Sequence, residues 1–75
     1  MNLKEMAAIA LDHWKTYDPK ETSQLEKKGM LDSEAIGAAK LTQMEMDALM
    51  LVGQTEAEAW QQARTLWILN DPLKN

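Results

Sequence analysis

The apolar residues of this chain recur at three- and four-residue steps in four stretches, which is the spacing of amphipathic helices. The first stretch begins after Asn2, a good helix cap, and ends at the pair Asp18-Pro19, where helical backbone is disfavoured. Gly29 and Gly53 follow the second and third stretches as helix-ending residues. The pattern predicts helices at residues 3–17, 19–28, 33–52 and 56–69.

The first and fourth predicted helices each carry one apolar stripe, whereas the second has a single large apolar residue, Leu25. On the first helix the stripe comprises Leu3, Met6, Ala7, Ala10, Trp14 and Tyr17. On the fourth helix it comprises Ala59, Trp60, Ala63, Leu66 and Trp67. Ile68 and Leu69 lie outside the stripe of the fourth helix, and we expect them to contact another helix or a partner.

The third predicted helix is apolar on two sides. The face that we expect to point into the core consists of Leu41, Met44, Ala48, Leu51 and Val52. The second face consists of Met46, Leu49 and Met50. A helix that is apolar on both sides needs two neighbours, and methionine is common on surfaces that adapt to partners. The second face is therefore the predicted partner-binding site, for another protein or for a second copy in a homodimer, with burial in the chain's own core as the alternative.

These elements predict an all-α fold in one domain, residues 1–75: a small bundle of four helices, three substantial and one short. Thr55 and Glu58 have the spacing of a capping box at the start of the fourth helix. The connection before it, Gly53-Gln54, is short, so the last two helices should form an αα-hairpin or a helix-turn-helix-like corner. A chain of this size has a small core, and without cysteine it cannot use disulfides, which leaves oligomerisation as a supplement.

The sequence contains no recognisable set of catalytic or metal-binding residues. His13 is the only histidine, and the helical wheel places it at the edge of the first apolar stripe. A nucleophile and an orienting carboxylate would have to accompany it in catalysis, but the serines and threonines occupy predicted turns and caps. We therefore expect a protein that is not an enzyme, with no catalytic residue, no metal site and no cofactor.

The net charge of −4 opposes nonspecific attraction to nucleic acids and to anionic membranes. No apolar run approaches the roughly 20 residues that a membrane span needs, and the amino-terminal residues make a poor signal peptide. The absence of cysteine suits a reducing compartment. We expect a cytoplasmic protein.

Residues 41–66, LTQMEMDALMLVGQTEAEAWQQARTL, resemble the helix-turn-helix of small transcription factors, which implies a nucleic-acid-binding regulator as the alternative function. The charges oppose this alternative. A recognition helix needs basic or amide side chains at its exposed start, but here the helix opens with Glu56 and Glu58, and Arg64 is its only basic residue.

Two segments, AAIALDHWK at residues 7–15 and KLTQMEMDALMLVGQTEAEAWQQAR at residues 40–64, resemble small uncharacterised accessory proteins of tailed bacteriophages and prophages. The resemblance implies a bacterial host cytoplasm and brings no activity with it. Small acidic proteins that bind and block a host or defence protein, anti-CRISPR proteins included, are one class of such products. The expected function is therefore protein binding, with inhibition of such a target as its most specific form.

Overall fold

The computed structural model describes residues 1–69, and over that range it contains four helices and no strand. The helices are α1 (Leu3–Tyr17), α2 (Pro19–Lys27), α3 (Leu31–Leu51) and α4 (Glu56–Trp67). The predicted all-α fold is confirmed, and each predicted helix end lies within two residues of the observed one. The predicted domain extends to residue 75, and its last six residues lie outside the described range.

Glycine ends both α2 and α3. Gly29 has φ +71° and Gly53 has φ +103°, a region that side chains with a Cβ rarely adopt. At the end of α2 the N–H of Met30 donates to the carbonyl oxygen of Leu25 at 2.9 Å, which is the long hydrogen bond of a Schellman motif. The helix ends are therefore set by local sequence.

Helices α3 and α4 form an αα-hairpin. The predicted capping box is present, because the N–H of Glu58 donates to Thr55 Oγ1 at 3.2 Å and the N–H of Thr55 donates to Glu58 Oε1 at 2.9 Å. Trp67, at the end of α4, and Gly37, near the start of α3, line the same groove. Helix α4 therefore runs back along α3, and the pair is a hairpin rather than a corner.

Helix α1 also packs along α3 and runs in the same direction as α4. At one end of the bundle the amino-terminal ammonium group of Met1 lies 3.2 Å from Glu56 Oε1, at the start of α4. At the other end the indole of Trp14 bonds to the backbone of Ile68, just after α4. Helix α2 contacts both α1 and α3. The central element is α3, with α1 and α4 packed against it.

The core is rich in alanine. Six alanines from the three long helices are buried: Ala7, Ala10, Ala35, Ala39, Ala59 and Ala63. Such small side chains let helices approach closely, and larger residues then fill the remaining space at native packing density. In the described part of the chain, the largest fully buried apolar side chains are Trp14, Met6, Met46 and Ile68.

The prediction of which face of α3 points into the core is wrong, because the residues of the predicted face are exposed to solvent. Met44 is 68% exposed, Leu51 87% and Val52 79%, whereas Met46 is only 2% exposed. The buried stripe continues along the whole helix at three- and four-residue steps: Leu31, Ala35, Ala39, Thr42, Met46 and the half-buried Leu49. It is hard to recognise in the sequence because it combines small residues with a threonine. The Thr42 hydroxyl donates to the Ala38 carbonyl oxygen at 2.8 Å, which satisfies this polar group inside the core.

The ends of α1 and α4 also differ from the predicted stripes. Leu3 and Tyr17, at the two ends of α1, are exposed, and so is Leu66 on α4. Ile68, which the sequence places outside the stripe of α4, is fully buried. The end of α1 meets the chain just after α4 at this point, where the indole of Trp14 donates a hydrogen bond to the Ile68 carbonyl oxygen. A helical wheel represents one helix at a time, so it cannot show contacts between the ends of two helices.

Candidate functional site

The predicted partner-binding face of α3 is largely part of the chain's own core. Met46 is buried, and Leu49 is half-buried and packs against the core; only Met50 is exposed. Because a docking residue must be accessible, Met46 cannot belong to a binding surface of this monomer. Of the alternatives left open by the sequence, the core interpretation is the correct one for Met46.

The exposed apolar residues of α3 form a stripe of their own. We define the α3 stripe as Gly37, Leu41, Met44, Ala48 and Leu51. Their spacing alternates between four and three residues, which is the heptad spacing of a helix that packs on another helix. Leu41, Met44, Ala48 and Leu51 are all exposed, and Gly37 is half-buried. The sequence pattern places most of these residues on one face of the helix but predicts that this face points into the core.

A groove of about 300 Å³ runs beside the first half of the α3 stripe. Its walls come from the end of α1, the start of α3 and the end of α4: Trp14, Ser33, Glu34, Gly37, Ala38, Leu41 and Trp67. At Gly37 the groove is open, since a Cβ added there would meet no atom within 4 Å. The groove therefore offers an apolar recess next to an exposed apolar stripe.

Two opposite charges lie along one edge of the α3 stripe. Lys40 and Asp47 are both exposed and are seven residues apart, so they lie on the same side of the helix two turns from each other. Asp47 Oδ1 accepts a hydrogen bond of 2.8 Å from Gln43 Nε2, which holds its carboxylate on this edge. Lys40 has no ion pair within residues 1–69.

His13 does not line the groove. It is half-buried, and its ring centroid lies 4.5 Å from that of Tyr17.

Across residues 1–69, no three His, Asp or Glu side chains are grouped so that they could hold a metal ion. In the same range no helix is both long enough and apolar enough to cross a membrane. The chemistry that the α3 stripe offers is apolar contact bordered by charge, which is the chemistry of binding.

Comparison with known proteins adds no family. No family model matches the chain, and searches of curated proteins and of solved structures find no significant match. The similarity to phage accessory proteins noted from residues 7–15 and 40–64 therefore stays a prediction. The α3 stripe and its groove are the features from which a function has to be inferred.

Proposed function

We propose that this protein acts without catalysis, by protein–protein association through the α3 stripe. The observation that carries the proposal is the exposure of Met44 and Leu51 on one continuous apolar face of the central helix. Contiguous exposed apolar surface marks interaction sites in soluble proteins. Full burial of one such side chain contributes about 1.5–3 kcal/mol, so covering two or three of them gives association a substantial driving force.

The role we propose is that of a small acidic accessory protein of the phage type, active in a bacterial cytoplasm. The sequence resemblance and the net charge of −4 support this role. Inhibition of a host or defence protein is its most specific form, and the two candidate occupants of the stripe are such a protein and a second copy of this chain.

The helix-turn-helix alternative has weaker support. Helices α3 and α4 lie side by side as a hairpin, whereas the two helices of that motif meet at a large angle. The exposed start of α4 presents the carboxylates of Glu56 and Glu58, which would repel phosphates.

Site-specific photocrosslinking in living bacteria tests the proposal. A photoreactive amino acid is placed at Met44, on the α3 stripe, and in a matched control at Lys4, an exposed position on α1. We expect protein adducts from Met44 that disappear when Leu51→Glu is added to the same chain, and no comparable adduct from Lys4. Circular dichroism of each variant shows whether the helices are intact. Equal labelling at the two positions, or no adduct at Met44, would contradict the proposal.

A further inference from the structure

We propose that the occupant of the α3 stripe is the same stripe of a second copy of this chain, packed antiparallel about a two-fold axis near Met44. This inference rests on the proposed function, since it names the partner of the same surface. A two-fold axis makes every contact twice from a single patch, so the patch must be complementary to itself. The sizes of the side chains along the stripe, the shape of the groove and the charges on the edge of the stripe can each be compared with that requirement.

The sizes along the α3 stripe are self-complementary. Met44 is its middle residue, and Gly37 and Leu51 are seven residues before and after it. An axis at Met44 therefore places Gly37 opposite the partner's Leu51, and Leu41 close to the partner's Ala48. Leu41 and Leu51 then each meet a small residue, which is how facing helices interdigitate without voids, and Met44 meets its own copy at the axis. A parallel arrangement would instead pair Gly37 with glycine and Ala48 with alanine.

The groove beside Gly37 has the shape needed for the opposite leucine. Leu51 is the most exposed large apolar side chain within residues 1–69, at 87%, and lies at the end of α3. The groove of about 300 Å³ opens where Gly37 lacks a side chain. In the antiparallel arrangement the partner's Leu51 enters this groove between Leu41 and Trp67, and the symmetric contact fills the second groove. This one contact accounts both for the exposed side chain of Leu51 and for the open groove at Gly37.

The charges on the edge of the stripe agree with this arrangement. When two helices pack antiparallel about a two-fold axis, residues on the same edge face each other. Lys40 precedes Met44 by four residues and Asp47 follows it by three, so Lys40 faces the partner's Asp47 and the pair occurs twice. The exposed Lys40, which has no ion pair within residues 1–69, thereby gains a partner of opposite charge.

The proposed dimer interface is small, and its area limits the affinity to be expected between the two chains. From Gly37 to Leu51 the stripe is about 21 Å long and one helix wide. Stable interfaces bury about 800 Å² on each partner, more than a strip of this size provides. We therefore expect a reversible dimer whose population depends on protein concentration.

Disulfide crosslinking tests the direction of the two helices, because the chain has no cysteine of its own. We expect Met44→Cys to crosslink to itself under mild oxidation, since its two copies lie beside the axis. Leu51→Cys should not crosslink to itself, because its copies are about 21 Å apart along the helices and a disulfide needs Cα atoms within about 7 Å. A mixture of Gly37→Cys chains and Leu51→Cys chains should form the mixed dimer. Self-crosslinking of Leu51→Cys as efficient as that of Met44→Cys would overturn the antiparallel arrangement.

Sedimentation over a concentration series tests the dimer itself. Gly37→Phe fills the groove and should weaken dimerisation at least tenfold, whereas the control Gly37→Ala adds a methyl group in open space and should keep it. Lys40→Glu and Asp47→Lys should each weaken the dimer several-fold, and the double variant should restore it to within about twofold of the original chain. Failure of the double variant to restore binding would overturn the pairing of these two residues.

The same experiments separate this inference from the proposed function. A chain that stays monomeric at the highest concentration, but still gives adducts with another protein from Met44, overturns the dimer and supports the proposed function. A chain that is monomeric and gives no adduct overturns both. Self-adducts from Met44, together with a concentration-dependent dimer, support both.

Discussion

The indole N–H of Trp14 donates a hydrogen bond of 2.8 Å to the backbone carbonyl oxygen of Ile68, 54 residues further along the chain. Both residues are buried. The bond joins the end of α1 to the end of α4, at the opposite end of the bundle from the contact between Met1 and Glu56. Because α1 and α4 each pack mainly on α3, this bond connects the two outer helices directly.

Replacing Trp14 by phenylalanine should lower the free energy of unfolding by about 2–3 kcal/mol. The variant loses the hydrogen bond and part of a buried ring, and a buried carbonyl left without a donor costs about 1–3 kcal/mol. Urea denaturation followed by circular dichroism measures the change. Trp67→Phe is the matched control, because Trp67 is half-buried and its Nε1 has no hydrogen-bond partner in the described part of the chain. Equal losses in the two variants would show that the bond from Trp14 adds no stability.

Met44 and Met46 are two residues apart and lie on different faces of α3, so they should respond differently to truncation. Met46→Ala removes a side chain that is 98% buried within α3's core face, so we expect a loss of about 2–4 kcal/mol in the free energy of unfolding. Met44→Ala changes an exposed side chain and should stay within about 0.5 kcal/mol of the original chain. Chemical denaturation at a protein concentration low enough to keep the chain monomeric measures both. A larger loss at Met44 than at Met46 would mean that α3 is rotated from the orientation described.

Replacing Thr22 by valine should stabilise the protein by about 1 kcal/mol. The Thr22 hydroxyl is buried and has no hydrogen-bond partner within residues 1–69, and an unsatisfied buried polar group is costly. Valine has nearly the same shape and the same branching at Cβ. Thr42→Val is the control, since the Thr42 hydroxyl is equally buried but bonded to the backbone, and its replacement should be close to neutral. Thermal unfolding compares the pair, and a loss of stability at Thr22 would show that its hydroxyl does have a partner in solution.

The capping box of α4 should make stability depend on pH. The backbone N–H of Thr55, and then its side chain, hydrogen-bond with Glu58 and hold the pKa of that carboxyl below its ordinary value of 4.5. A group with a lowered folded-state pKa stabilises the fold above the unfolded-state pKa, and this contribution is lost as the pH falls through the folded-state pKa. We therefore expect the melting temperature to fall between about pH 5 and pH 3, and to fall less in Glu58→Gln, which cannot titrate. The same slope in both chains would contradict the assignment to Glu58.

Helix positions were predictable because their determinants are local. The cap at Asn2, whose Oδ1 accepts from the N–H of Glu5 at 2.8 Å, and the turns at Gly29 and Gly53 involve residues within a few positions of one another. The capping box at Thr55 is equally local. Such hydrogen bonds form within one stretch of chain, so the sequence alone contains the information for them.

The candidate site was only partly predictable. The residues of the α3 stripe stand out in the sequence as apolar at helical spacing, yet Met44 and Leu51 were assigned to the core and Met46 to the surface. Hydrophobicity alone favours burying the larger residues, but alanines allow close packing of helices that leucines would hold apart. The groove at Gly37 could not be predicted, because its walls come from three helices.

By itself the sequence determined that this chain forms helices, where each begins and ends, and that α3 is apolar on two sides. Tertiary structure decided which of those sides is inside. An apolar residue carries the same transfer free energy on either side of its helix, so the choice depends on the shapes of the neighbouring helices. Ala35 and Ala39 of α3 belong to one buried cluster with alanines of α1 and α4, and on this helix Met44 and Leu51 face solvent instead.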